Sequence, residues 1–165
     1  MTNTVSQVDP DKIHLIGLRL LGANYESSEE FLKNPVIPAR TNVKIGQNTG
    51  LNLEKNLFVV KMEIILRGLH NDDSEVGLTA RYLIEFAFTV DNLKELVQIQ
   101  GDTSTIDSRL AATVLGIAYS TARGIVVERT QGTFFNGAIL PVINPVSLVN
   151  ATPEPQDTSA TTEKT

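Results

Sequence analysis

The chain has 165 residues, 41% hydrophobic and 20% charged, with a net charge of -5 and no cysteine. That suffices for one domain with a core and hardly for two. It excludes disulfides, thiolate catalysis and sulfur-ligated metals, and it argues against nucleic acid, whose readers carry a basic face. The polar start, Met1 to Pro10, lacks the features of a signal peptide, and no run of about 18 apolar residues occurs, so the expectation is a cytoplasmic protein with no direct membrane insertion.

In chain order, residues 1–10 read as a flexible arm, 11–149 as the folded domain and 150–165, rich in Thr, Pro, Glu and Ser, as a disordered tail. A first strand is expected over about Lys12 to Ala23. Both of its parities carry Ile or Leu, which implies cover on both faces. A long loop, Tyr25 to Arg40, follows and holds Phe31, Val36 and Ile37 between prolines; loops of this length without structure of their own are usually functional. Asn42 to Glu54 reads as a second strand, bent or broken near Gly46 or Gly50.

Leu57 to Arg67 alternates strictly, with Phe58, Val60, Met62, Ile64 and Leu66 on one side. Leu78 to Val90 repeats the pattern, interrupted only by Leu83 and Ala87 on the opposite face, and the turn chemistry of His70 to Ser74 joins the two as an antiparallel hairpin. The period then changes. From about Thr105 to Gln131 the chain runs without proline and stops at Gly132, a helix about 40 Å long. Its row Ala112, Gly116, Ser120, Gly124 is small at every fourth place. Glycine inside a helix costs about 1 kcal/mol relative to alanine, so its presence twice on one row points to a second backbone packed close, and the row is read as an oligomer interface. An apolar connector with two prolines, Phe134 to Val146, leads to a short helix around Pro145 to Val149. Together these predict an α+β layering of four strands, one long helix and a short apolar C-terminal end.

Polar chemistry is sparse. His14 and His70 stand in different elements, Gly46 to Gly50 lacks the spacing and lysine of a phosphate loop, and Asp72, Asp73 and Glu75 read as a solvated turn. No nucleophile elbow occurs. The expectation is a protein that is not an enzyme, needs no cofactor or metal, and binds by burying apolar surface.

The stretch Leu115 to Phe134, with Ala122-Arg123 inside it and Gly132-Thr133-Phe134 at its exit, resembles the long helix of SecB-type chaperones. Leu140-Pro141-Val142-Ile143-Asn144 is similar to the apolar-Pro-Val-Asn segment that follows that helix in the family. The resemblance implies an α+β, SecB-like four-stranded antiparallel sheet followed by one long helix and a short C-terminal helix, assembled as a homotetramer, a dimer of dimers with the long helices inside. It also implies an ATP-independent holding chaperone that binds unfolded or nascent polypeptides for protein export. By position, it places client-binding walls at Phe31 and Ile37 in the loop, Val43 and Ile45 on the second strand, and Phe135, Leu140 and Leu148 in the C-terminal segment. Export SecB offers carboxylates to the SecA motor where this chain has Asn24, Ser28 and Arg81, and the strongly acidic tail is missing. A SecB-like branch that guards an antitoxin in toxin–antitoxin modules is therefore the alternative partner assignment. Two further readings are a hot-dog-like oligomeric thioesterase and a purely structural oligomer.

Overall fold

A computed structural model describes residues 8–101 and 103–150. The expected tail, apart from Asn150, and the first seven residues of the expected arm lie outside these. The folded chain begins slightly earlier than expected: Val8 packs against the core, and Asp9 accepts the Asp11 amide at 3.0 Å to open a single turn over Pro10–Lys12.

Four strands, β1 (Ile13–Ser27), β2 (Arg40–Asn52), β3 (Leu57–Leu69) and β4 (Glu75–Val90), form one antiparallel sheet in the order β1-β4-β3-β2. The strict alternation of β3 and β4 is the cause of their central place. Phe58, Val60, Met62, Ile64 and Leu66 line up against Phe88, Phe86, Ile84, Tyr82 and Ala80, and every one of them is inaccessible to solvent. Burying a row of such side chains contributes about 1.5–3 kcal/mol each, so a register slip that moved them to the outer face is excluded.

The structure corrects the reading of both edge strands. β1 is not covered on both faces. Its pairing with β4 jumps between Leu15 and Gly17 and again between Leu20 and Gly22, two bulges that each shift the parity by one. The mixed apolar pattern is the trace of those shifts, and Leu15, Ile16, Leu18, Leu21 and Tyr25 are exposed in the single chain. β2, by contrast, is not broken: it pairs with β3 residue by residue from Arg40 to Asn52, with Gly46 and Gly50 in register.

The long loop contains a helical turn, α1 (Glu29–Lys33), capped by Ser28, whose Oγ accepts the Phe31 amide at 3.1 Å. Ser28 also donates its own amide to the Gly77 carbonyl at 2.7 Å. Gly77 has φ +83, and a Cβ there would stand 2.1 Å from Ser28 Oγ, so this close approach of loop to sheet requires glycine.

An unexpected hairpin, β5 (Val97–Gln100) with β6 (Thr103–Ile106), follows β4. The long helix α2 accordingly starts later than expected and spans Ser108–Thr130, about 35 Å. Asp107 is its N-cap and accepts the Arg109 amide at 2.8 Å. Leu110, Val114, Ala118, Ala122 and Val126 form the row that α2 lays on the sheet, with Leu115 and Tyr119 beside it. By length and apolarity alone α2 passes for a membrane span; here that buried face is part of the core. The short helix α3 (Pro145–Val149) begins at the Asn144 cap, as expected.

Candidate functional site: the loop, the connector and the second strand

After α2 the chain turns back along the helix. Two side chains of α2 fasten it: Tyr119 donates its hydroxyl to the Pro141 carbonyl at 2.8 Å, and Arg123 Nε donates to the Leu140 carbonyl at 3.1 Å. Burial keeps the Tyr119 phenol above its ordinary pKa, so it remains a donor. These bonds satisfy backbone carbonyls of a segment that has no ladder of its own. They also orient it, with Leu140 packed inward and Ile139 and Val142 outward.

At its start this connector meets the loop, where Phe31 and Phe134 stack edge to face with ring centroids 5.1 Å apart. At its end it meets β2, where Gln47 Nε2 donates to the Leu148 carbonyl at 3.0 Å. Two contacts thus link the three segments assigned as client walls, loop to connector and C-terminal helix to β2. A second tie closes the helix end: the Tyr25 hydroxyl lies within hydrogen-bond reach of the Tyr82 hydroxyl and donates to the Arg129 carbonyl at 3.0 Å. Desolvation, then the bond that Tyr82 donates to Tyr25, raises the Tyr82 pKa far above the usual phenol range.

Burial divides the expected wall residues. Phe31, Phe135, Leu140 and Leu148 are at most 5% exposed and belong to the core. A client cannot touch them while the chain keeps this conformation, because each fills the space between sheet, loop and helix. Val43 and Ile45 are half-buried on the inner side of β2, and Ile37 is 81% exposed. The accessible apolar surface that the sequence reading did not single out comprises Leu32, Phe134, Ile139, Val142 and Val146, with Val142 the most open at 83%. Leu32 and Phe134 each adjoin a buried aromatic, and the signal lay in that adjacency: an apolar pair in a short turn cannot place both members inside.

The small row of α2 also divides. A Cβ on Gly116 would stand 3.1 Å from Pro145 Cγ, so the small size there serves the chain's own α3. Beyond it Ser120 and Gly124 are exposed, a Cβ on Gly124 would meet nothing within 4 Å, and the exposed Ile117 and Val127 share their side of the helix. Ala112 is half-buried.

No protein-family model matches the sequence, and no curated protein matches it. Among solved structures, the chain is similar to the SecB-like chaperone Rv1957 of Mycobacterium tuberculosis, determined in complex with a ChAD peptide from the HigA1 antitoxin Rv1956. The TM-score is 0.55 at 14% identity, over 81% of this chain and 91% of that one. A protein of unknown function from Streptococcus agalactiae overlaps with a TM-score of 0.40 at 12% identity, over 79% of this chain and 97% of that one. The fold of this chain is SecB-like: an antiparallel four-stranded sheet, a long helix across one face and a short helix after it.

Proposed function

We propose that the chain is an ATP-independent holding chaperone that grips unfolded polypeptide along Ile37, Val142 and the half-buried Val43 and Ile45. The observation that supports this reading is the exposure of apolar Leu32, Ile37, Phe134, Ile139 and Val142 on the loop and connector, segments linked to each other by the Phe31–Phe134 contact and to β2 by Gln47. Exposed apolar patches of this kind mark binding sites for protein. Each contact is weak, so a long client held at several grooves of a homotetramer gains by avidity rather than by any one bond. The exposed Ile117, Ser120, Gly124 and Val127 face of α2 supports such an assembly. The address is cytoplasmic, and the work requires neither catalysis nor cofactor.

Of the two partner classes, the antitoxin-guarding one is favoured over coupling to SecA. Arg81 is ion-paired to Glu63 on the sheet opposite Asn24, a place where the export family offers carboxylates. The SecB-like neighbour of known structure holds an antitoxin peptide.

The test is aggregation of a reduced, unfolded client followed by light scattering, together with native mass spectrometry. The reading expects suppression near one client per tetramer without nucleotide, and loss of suppression in Ile37→Glu/Val142→Glu. No delay in aggregation at excess protein overturns it.

A further inference from the structure

The connector opens on a turn with a chemistry of its own. Phe135, Asn136, Gly137 and Ala138 form a β-turn closed by the Ala138 amide, which donates to the Phe135 carbonyl at 2.8 Å. Gly137 takes the third place with φ +84, as a type II turn requires, while Asn136 keeps a negative φ. This is the sole Asn-Gly pair in the sequence. Asn136 and Gly137 are both exposed, although Phe135 before them is buried in the core. The Asn136 amide donates to the Thr133 carbonyl at 3.0 Å. Its carboxamide, its carbonyl and the Gly137 amide make no hydrogen bond among the described residues.

An asparagine carboxamide lies within reach of the amide nitrogen that follows it. The two close into a succinimide ring only where the peptide plane between them can rotate. Here neither end of that plane is tied, and glycine accepts either sign of φ and brings no Cβ against the approaching carbon. Other asparagines are held back. Asn34 and Asn144 precede proline, which has no N–H to attack with. Asn42, Asn48 and Asn52 lie in the β2 ladder, paired with β3. The Asn71 carbonyl is bound by Arg40, and the bulkier Asp72 follows it.

We propose that Asn136 is a site of spontaneous deamidation and isomerisation, with water as the only co-reactant. The Gly137 nitrogen gives up its proton and attacks Asn136 Cγ. The new N–Cγ bond forms, the Cγ–Nδ2 bond breaks, and the side-chain nitrogen leaves as ammonia carrying the proton. Water then opens the ring: at Cγ it gives aspartate, at the former main-chain carbonyl it gives isoaspartate. Either product adds a negative charge beside the buried Phe135, on a chain whose net charge is already -5. Isoaspartate also routes the main chain through the side-chain carbons and lengthens it by one atom. Phe135 and Leu140 are both packed inward, and the Ala138 bond sets the path between them. The longer path does not fit that spacing, so the isoaspartyl form loosens the connector from α2. This chemistry is independent of client binding.

The experiment ages the full chain in buffer at neutral and at mildly alkaline pH, then maps it by proteolysis and mass spectrometry. Isoaspartate is detected by labelled methyl transfer with an isoaspartyl methyltransferase. The Asn136 peptide should gain the mass that separates an acid from an amide before any other asparagine peptide does. The conversion should be faster at the higher pH, because the attacking nitrogen must lose its proton, with isoaspartate as the larger product. Asn136→Gln keeps a carboxamide but needs a larger ring, so it should stay unmodified and serves as the aged control. Limited proteolysis then reads the opening of 134–142. Aged wild-type protein should be cut there sooner than aged Asn136→Gln, whereas fresh Asn136→Asp, with the charge and no added atom, should resist like the unaged chain. An Asn136 amide that outlasts the other asparagines overturns the site. Equal cleavage of the two aged proteins, or fresh Asn136→Asp cut as fast as aged wild type, overturns the effect assigned to the longer main chain.

Discussion

Leu140→Ala distinguishes a wall of the groove from a part of the core. Leu140 is fully buried, and its carbonyl is held by Arg123. Truncation to alanine removes three carbons, about 2.4 kcal/mol of transfer free energy at about 0.8 kcal/mol per methylene. The cavity left between connector and α2 adds to this, since the Tyr119 and Arg123 bonds keep the backbone from collapsing inward. The total expected is about 3 kcal/mol, within the usual range for such substitutions. For a chain of this size that lowers the melting temperature by about 6–12 °C. The assay is urea unfolding followed by circular dichroism at fixed protein concentration, because assembly contributes to apparent stability, with client protection measured in parallel. Ile37→Ala is the control: its side chain is 81% exposed, so stability should stay within about 0.5 kcal/mol while client protection falls. A Leu140→Ala protein of unchanged stability but poor client protection would refute the reasoning, because it would place Leu140 at the client surface.

Three further outcomes follow from particular contacts. Gly77→Ala meets both a positive φ and the Ser28 hydroxyl, so it should cost about 1–3 kcal/mol and expose 28–39 to limited proteolysis; an unchanged cleavage pattern counts against the tie between loop and sheet. Gly124→Leu, in open space, should stabilise an isolated helix by up to about 1 kcal/mol yet break the oligomer in native mass spectrometry, whereas Gly116→Leu should displace α3 first; an intact Gly124→Leu oligomer removes that face as an interface. Asp107, pushed down to about 2 chiefly by its bond from Arg109, contributes stability above pH about 4 that is lost as pH falls toward 2. Asp107→Asn keeps a capping oxygen but cannot titrate, so its acid unfolding curve should be flatter in that window, and an identical curve would rule the group out.

The parts of the fold that could be read in the sequence are those where one periodicity ran unopposed. β3 and β4 keep an unbroken apolar inner row because each has one face on the core along its whole length. β1 was obscured by its two bulges, which changed the parity of inward residues; Gly17 and Gly22, directly after them, were the signal that the reading passed over. The β5–β6 hairpin was missed because Gln98, Gln100, Thr103, Ser104 and Thr105 are polar and exposed, so no buried face wrote a pattern into them, and Ser104-Thr105 imitates a helix cap. The candidate groove was legible as a set of segments but not residue by residue. Phe31 and Leu32, like Phe134 and Phe135, are neighbours of equal hydrophobicity, and only the docking of loop on connector decides which member turns outward.

The strand order also sets a timetable for the chain as it emerges. β2, β3 and β4 are joined by short turns and can close one hairpin after another, whereas β1 must wait for β4: Ile13 pairs with Val90. Contacts of such sequence separation form late. During synthesis, then, the apolar stretch from Leu15 to Leu21 is itself an unfolded segment awaiting a partner, and in the finished protein it should be the strand that detaches first. Amides of β1 should therefore exchange with solvent before those of β3.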